Sequence, residues 1–254
     1  MPTFKITLSY DGTDYVGWQR QSNGVSIQAL IEDALRELDG GRDVPVSGAG
    51  RTDAGVHALG QVAGFTIARE IGPDALVRAL NAHLPPAIRV LNAEEAPPAF
   101  HPRFAARVKT YRYQLWNGDI MSPFERGLAW HVTGPLDVEA MRAAARLVEG
   151  RHDFAAFQAT GSSVATTERE IFVSRLTACG MRMLCYEVEG NGFLRHMVRI
   201  IVGSLVEVGR GRRPVEWVAE ILASRDRTAA GPTAPPQGLF LVRVEYGDAL
   251  AAGS

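Results

Sequence analysis

The stretch Ser47-Gly-Ala-Gly-Arg-Thr-Asp-Ala-Gly-Val-His57 concentrates the side chains with the most chemical potential in this sequence. Gly48, Gly50 and Gly55 surround Arg51-Thr52-Asp53. Glycines so placed permit sharp turns and a close approach of the backbone to a ligand. The spacing matches neither a P-loop nor a dinucleotide fingerprint, because no Gly-Lys-Ser/Thr ending follows. Arg51 and Asp53 are two apart, so in an extended segment their side chains point the same way. A guanidinium beside a carboxylate favours the ionised form, and an ionised carboxylate serves as nucleophile or general base. The same residues also read as a plain turn in which Thr52 or Asp53 caps the backbone. Asp53 and His57 are four apart, a spacing that suits a metal pair on a helix. Gly55 argues against a helix there.

A second group lies further on. Arg107, Lys109 and Arg112 alternate with Tyr111 and Tyr113. In RNA sites rings stack on bases and cations hold phosphates; the competing reading is a strand whose tyrosines pack inward. Arg195, His196 and Arg199 interrupt an otherwise apolar stretch after Gly192. A buried arginine needs a carboxylate or phosphate partner. Arg210, Arg212 and Arg213 follow, and either complement a helix dipole or bind phosphate. Tyr10, Tyr15 and Trp18 read as core residues.

The elements that must position these groups follow from periodicity. Phe4–Tyr10 alternates as a half-buried strand, and Ser26 caps a helix carrying Ile27, Leu30, Ile31, Ala34, Leu35 and Leu38. Further strands are expected over 44–46, 61–67, 88–91, 108–116, 171–179, 183–189 and 239–246. Further helices are expected from Pro73 to Pro85, over 138–148, over 193–208 and over 215–222, the third apolar nearly all round and so buried. Residues 226–237 and the Ser/Thr-rich 161–166 read as loops. A proline-rich stretch with Pro97, Pro98 and Pro102 divides the chain into halves 1–102 and 103–254. Strands and helices mix in each half, which is α+β, and two ferredoxin-like or RNA-recognition-like halves sharing a mostly antiparallel sheet fit that order, with helices on one side and the active-site cleft between the halves.

The 254 residues suffice for a substantial core. The composition, 46% hydrophobic and 22% charged, is that of an ordinary globular protein, and the net charge of −1 carries no nucleic-acid signature of its own. Cys179 and Cys185 are the only cysteines and read as reduced core thiols of a cytosolic protein. No stretch approaches the roughly 18 apolar residues of a membrane span, and the N-terminus lacks a signal-peptide pattern. A cytoplasmic protein is expected.

Several blocks, in order along nearly the whole chain, resemble the tRNA pseudouridine synthase A family. They are Tyr10-Asp-Gly-Thr-Asp-Tyr-Val-Gly-Trp-Gln-Arg-Gln21, Gly50-Arg-Thr-Asp-Ala-Gly-Val-His57, Lys109-Thr-Tyr-Arg-Tyr113, His152-Asp-Phe-Ala-Ala-Phe157, Gly190-Asn-Gly-Phe-Leu-Arg-His-Met-Val-Arg199 and Gly238-Leu-Phe-Leu241. The resemblance implies isomerisation of uridine to pseudouridine at positions 38, 39 and 40 of the tRNA anticodon arm. It implies Asp53 as the catalytic carboxylate, Tyr111 as the uridine-binding residue, Arg199 as the ion-pair partner of Asp53 and Leu239 against the base; Arg51 reads as a supporting residue on its spacing to Asp53. It implies a homodimer with tRNA held across both subunits, and neither cofactor nor metal. Two other readings compete: a non-catalytic RNA-binding module, and a metal-dependent hydrolase using Asp53, His57 and His101.

Overall fold

The computed structural model describes residues 1–159, 161 and 164–247, so part of the Ser/Thr-rich loop at 161–166 lies outside the described residues. The chain forms two compact units, Met1–Arg107 with the segment from Phe240 onward, and Val108–Leu239. This differs from a division at 102/103, because the last strand returns to the N-terminal unit. Continuity of chain is not continuity of packing.

The first unit holds β1 (Thr3–Tyr10), α1 (Ile27–Leu38), β2 (Ser47–Gly48), β3 (His57–Thr66), α2 (Pro73–His83), β4 (Ile88–Ala96) and most of β10 (Leu239–Tyr246). β1 pairs antiparallel with both β3 and β4, and β2 pairs antiparallel with β3. The resulting order β4-β1-β3-β2 is that of a ferredoxin-like unit. β10 adds a short parallel pairing, Phe240 with His57 and Leu241 with Ala58. Alternation in β1 buries Phe4, Ile6, Leu8 and Tyr10 on one face. The Ser26 hydroxyl accepts from the Ala29 amide and starts α1, which buries Ile27, Ile31, Ala34 and Leu35. Each such isoleucine or leucine contributes about 1.5–3 kcal/mol. β3 is buried on both faces over most of its length, and it runs from His57 rather than from Gln61 because β10 pairs with His57 and Ala58. No strand forms over 44–46; Val44 and Val46 are buried in irregular backbone instead.

The second unit holds most of β5 (Ala106–Asn117), then β6 (Trp130–Val132), α3 (Val138–Arg146), β7 (Gly150–Asp153), β8 (Glu168–Ala178), β9 (Met183–Gly190), α4 (Met197–Gly209) and α5 (Trp217–Ser224). Its strands run β5-β9-β8-β7, all antiparallel, with β6 added parallel to β5. Both units are therefore α+β on a mostly antiparallel sheet. α4 starts at Met197 rather than at 193, because His196 adopts a left-handed conformation, φ 62°, that cannot continue a right-handed helix. Residues 226–237 are not all irregular: short 3₁₀ turns occupy Arg227–Ala229 and Pro236–Gly238. Cys179 and Cys185 are not reduced core thiols. They form a disulfide across the β8–β9 hairpin, Cα–Cα 5.9 Å, with Cys179 exposed and Cys185 half-buried. Alternation in β9 turns Cys185 away from the core, and Cys179 lies just beyond the end of β8. Among the described residues no helix is long and apolar enough to cross a membrane.

Candidate active site

The Asp53 loop is held from three sides, all within the first unit. Segment 12–18 lies backbone against backbone on it. The Trp18 amide donates to the Thr52 carbonyl at 3.0 Å, and the Gly55 amide donates to the Tyr15 carbonyl at 3.3 Å. This approach requires Gly12 and Gly17. A methyl on Gly12 would stand 2.1 Å from the Val56 carbonyl oxygen, and one on Gly17 would stand 2.4 Å from that of Thr52. The loop closes on itself through the Val56 amide and the Asp53 carbonyl at 3.1 Å, and Gly55, φ 75°, makes the turn.

From β1, the Tyr10 hydroxyl lies 2.8 Å from Thr52 Oγ1. From β3, Gln61 Nε2 donates to the Gly50 carbonyl at 2.9 Å and to the Tyr10 oxygen at 3.5 Å. Burial pushes the Tyr10 phenol up to about 12, against its bonds to Thr52 and Gln61. It stays protonated at neutral pH. His57 is in β3 and not on a helix; its Nδ1 accepts the Gly12 amide at 3.1 Å and its ring stacks on Phe240 at 4.7 Å. The same Nδ1 lies 3.1 Å from Asp11 Oδ1. In this setting Thr52 is buried, Asp53 half-buried and Arg51 exposed.

In the second unit, Tyr111 of β5 is 7% exposed, with its ring edge-on to Phe193 at 4.9 Å. Tyr113 is fully buried and donates its hydroxyl to the Pro235 carbonyl at 2.7 Å. Burial pushes that phenol well above its usual range, although the Arg199 guanidinium pulls it down. Arg199, half-buried on α4, donates Nε to the Ala234 carbonyl at 2.7 Å, and the Ala234 amide donates back to the Arg199 carbonyl at 3.1 Å. The same loop seats on α4 one turn later. Ser204 Oγ accepts the Gly231 amide at 3.0 Å, and Gly203 leaves room for the Pro232 carbonyl, which a methyl would approach to 1.8 Å. Leu239, 6% exposed, follows Gly238, whose missing side chain admits the Tyr113 ring.

Two expected RNA features resolve differently. Lys109, Tyr111 and Tyr113 share one parity of β5, whereas Arg112 has the other. Arg112 pairs with Glu187 at 3.1 Å, and Arg175 pairs with the same carboxylate. Arg112 is therefore set on the opposite sheet face from the tyrosines. Arg210 and Arg212 pair with Glu207, and Arg213 covers the Trp217 ring at 5.0 Å, so these three are partnered inside the unit. Arg195 and His196 precede α4 rather than lie on it. A cavity of about 770 Å³ opens on the Arg112 side of β5 and β9, lined by Gln114, Trp116, Met121 and Met183, and holds none of the candidate groups. Gln61 escaped sequence reading as anything but a strand residue. The available signal was a glutamine embedded in an apolar strand, which demands partners once buried.

An ionisable carboxylate on a glycine loop pinned at several points, in an α+β unit of ferredoxin-like order, is the equipment of an enzyme that positions one acid group. The chain matches the tRNA pseudouridine synthase family over residues 6–105 and 144–247. It is 52% identical to the tRNA pseudouridine synthase A of Myxococcus xanthus over 248 residues, covering 98% of this chain and 93% of that one. It is 50% identical to the tRNA pseudouridine synthase A of Geobacter sulfurreducens over 246 residues, covering 97% and 100%. The chain belongs to the tRNA pseudouridine synthase family, a family of isomerases.

Proposed function

We propose that this protein isomerises uridine to pseudouridine at positions 38, 39 and 40 of the tRNA anticodon arm, with Asp53 as the essential carboxylate. The observation that carries the reading is the Asp53 loop: a half-buried acid between a buried, hydrogen-bonded threonine and a glycine turn. Such a mount holds one carboxylate in one place, which is what positional catalysis requires.

The reaction breaks the C1′–N1 bond, turns the uracil, and joins C1′ to C5. N1 gains a proton and C5 loses one, so no net oxidation occurs and no redox cofactor is called for. The target base must first leave its stack, at a cost of a few kcal/mol. Tyr111 recovers part of that by stacking, worth about 1–3 kcal/mol per base. Arg199 acts as the ion-pair partner of Asp53, its guanidinium plane oriented by the Nε bond to Ala234. Leu239 offers an apolar contact to the uracil, and Arg51 supports Asp53 from the exposed side of the loop. Asp53 either attacks the sugar covalently or removes the C2′ proton to give a glycal. The enzyme works in the cytoplasm as a homodimer that holds each tRNA across both subunits.

The test uses an unmodified tRNA transcript with uridines at 38–40. Wild-type protein forms pseudouridine there, and Asp53→Asn and Asp53→Ala form none while still binding the tRNA. Full activity in Asp53→Ala would sink the reading. Binding by the wild-type protein without any conversion would favour a non-catalytic RNA-binding module instead.

A further inference from the structure

We infer that Tyr10 and Gln61 are positioning residues that set the Asp53 carboxylate through Thr52 and Gly50, an inference that rests on the catalytic reading of Asp53. Tyr10 is 4% exposed, Gln61 is fully buried and Thr52 is 7% exposed, in a core that includes Trp18. Three polar side chains brought into such a place are costly unless each is satisfied, and a satisfied network defines one geometry.

The pattern of bonds ties this network to the loop. The Gln61 amide is oriented by two backbone partners: Nε2 donates to the Gly50 carbonyl at 2.9 Å, and Oε1 accepts the Val62 amide at 3.2 Å. Flipping the amide would set oxygen against oxygen and N–H against N–H. Nε2 also donates to the Tyr10 oxygen at 3.5 Å, and that oxygen lies 2.8 Å from Thr52 Oγ1, a bond in which either hydroxyl can donate. The connected bonds therefore run from β3 through β1 to the residue before Asp53. The anchors fall on Gly50 and Thr52, either side of Arg51, so the loop is tied at two points immediately ahead of the acid. The Trp18 amide holds the Thr52 carbonyl as well, at 3.0 Å. Thr52 is thus gripped by main chain and side chain together, while Asp53 next to it is left half-exposed for reaction. None of the three side chains needs to touch substrate to exert this effect.

A positioning role makes claims that a merely structural role does not. Tyr10→Phe and Thr52→Val each remove one end of the same hydrogen bond with little change in volume. Each is expected to lower kcat for pseudouridine formation about 10- to 100-fold, in line with the cost of sub-ångström to 1 Å misplacement, with KM for tRNA within about twofold. The double variant Tyr10→Phe/Thr52→Val is expected to lose no more than the worse single variant, because both break one interaction. Thr52→Ser keeps the hydroxyl and is expected to regain kcat to within about threefold of wild type. Gln61→Met, which keeps length but loses both donors, is expected to lower kcat in the same way. Thermal unfolding is measured alongside, and Asp53→Asn is assayed in parallel.

Wild-type kcat in folded Tyr10→Phe and Thr52→Val, with Asp53→Asn inactive, would overturn the positioning role and leave the catalytic reading intact. Losses confined to KM, losses that multiply in the double variant, or failure of Thr52→Ser to rescue a folded protein would also overturn it. Activity in Asp53→Asn would bring down the reading beneath it.

Discussion

Replacing Gly17 by alanine drives a methyl into the backbone that carries Asp53. The added carbon would lie 2.4 Å from the Thr52 carbonyl oxygen and 2.9 Å from the Asp53 carbonyl carbon, at a residue with φ of 100°. Two costs follow. A side chain at that positive φ costs about 1–2 kcal/mol. The clash costs about 1–3 kcal/mol more, since backbone atoms cannot swing aside as a flexible side chain would. The sum, about 2–5 kcal/mol, lowers Tm by about 4–20 °C in a chain of this size. To reach ordinary contact the Thr52–Asp53 backbone must retreat by roughly 1 Å, and a displacement of that size costs about 100-fold in rate. The assay follows release of tritium from tRNA labelled at C5 of uridine, because C5 must give up its hydrogen as C1′ bonds to it. Gly40→Ala is the control: φ there is 68°, but nothing lies within 4 Å of the added carbon. It is expected to lose about 1–2 kcal/mol of stability and no kcat. A Gly17→Ala protein with kcat within twofold of wild type would refute the claim that this glycine seats the acid loop, and equal kcat losses in both variants would assign the effect to strain in general.

Tyr111→Phe keeps the ring and is expected to bind tRNA nearly as wild type, whereas Tyr111→Ala is expected to lose about 1–3 kcal/mol of base stacking; equal binding by all three proteins in a filter or anisotropy titration refutes the stacking role. Asp39 accepts bonds from the Arg42 guanidinium, which outweigh its burial, and from the Ala68 and Arg69 amides, so its carboxyl is held down at about 2, below the ordinary 3.8. A depressed carboxylate stabilises the fold fully above about pH 4 and loses that contribution as pH falls through about 2. Tm against pH is therefore expected to fall less steeply over that window in Asp39→Asn than in wild type, and parallel acid limbs would count against the assignment.

Much of this architecture is legible in local pattern. Alternation marks β1 and β9, the Ser26 cap marks α1, and Pro73 marks the start of α2, because each depends on a few neighbouring residues and on backbone geometry alone. Boundaries shift where packing intervenes: β3 extends back to His57 because β10 covers it there, and α4 begins late because His196 turns left-handed. The interleaved tyrosines and cations of β5 are a plainer lesson. Their order in sequence suggests one mixed surface, yet a period of two sends Arg112 to the face away from Tyr111 and Tyr113, where Glu187 claims it.

Asp53, Tyr111, Arg199 and Leu239 were nameable from the residues and the family they resemble, since motif and spacing survive in one dimension. The sequence by itself thus determined the elements of the first unit, the glycine loop and the acid at its centre. Only the tertiary structure decided how that acid is held. Tyr10 reaches Thr52 across 42 positions, and Gln61 reaches Tyr10 across 51. Periodicity extends over one helix or strand, whereas a hydrogen bond between strands depends on register and on the burial that makes an unpaired polar group too costly to leave. The return of the last strand to the first unit has the same cause: Phe240 and Leu241 are placed by the edge they pair with, not by the residues that precede them.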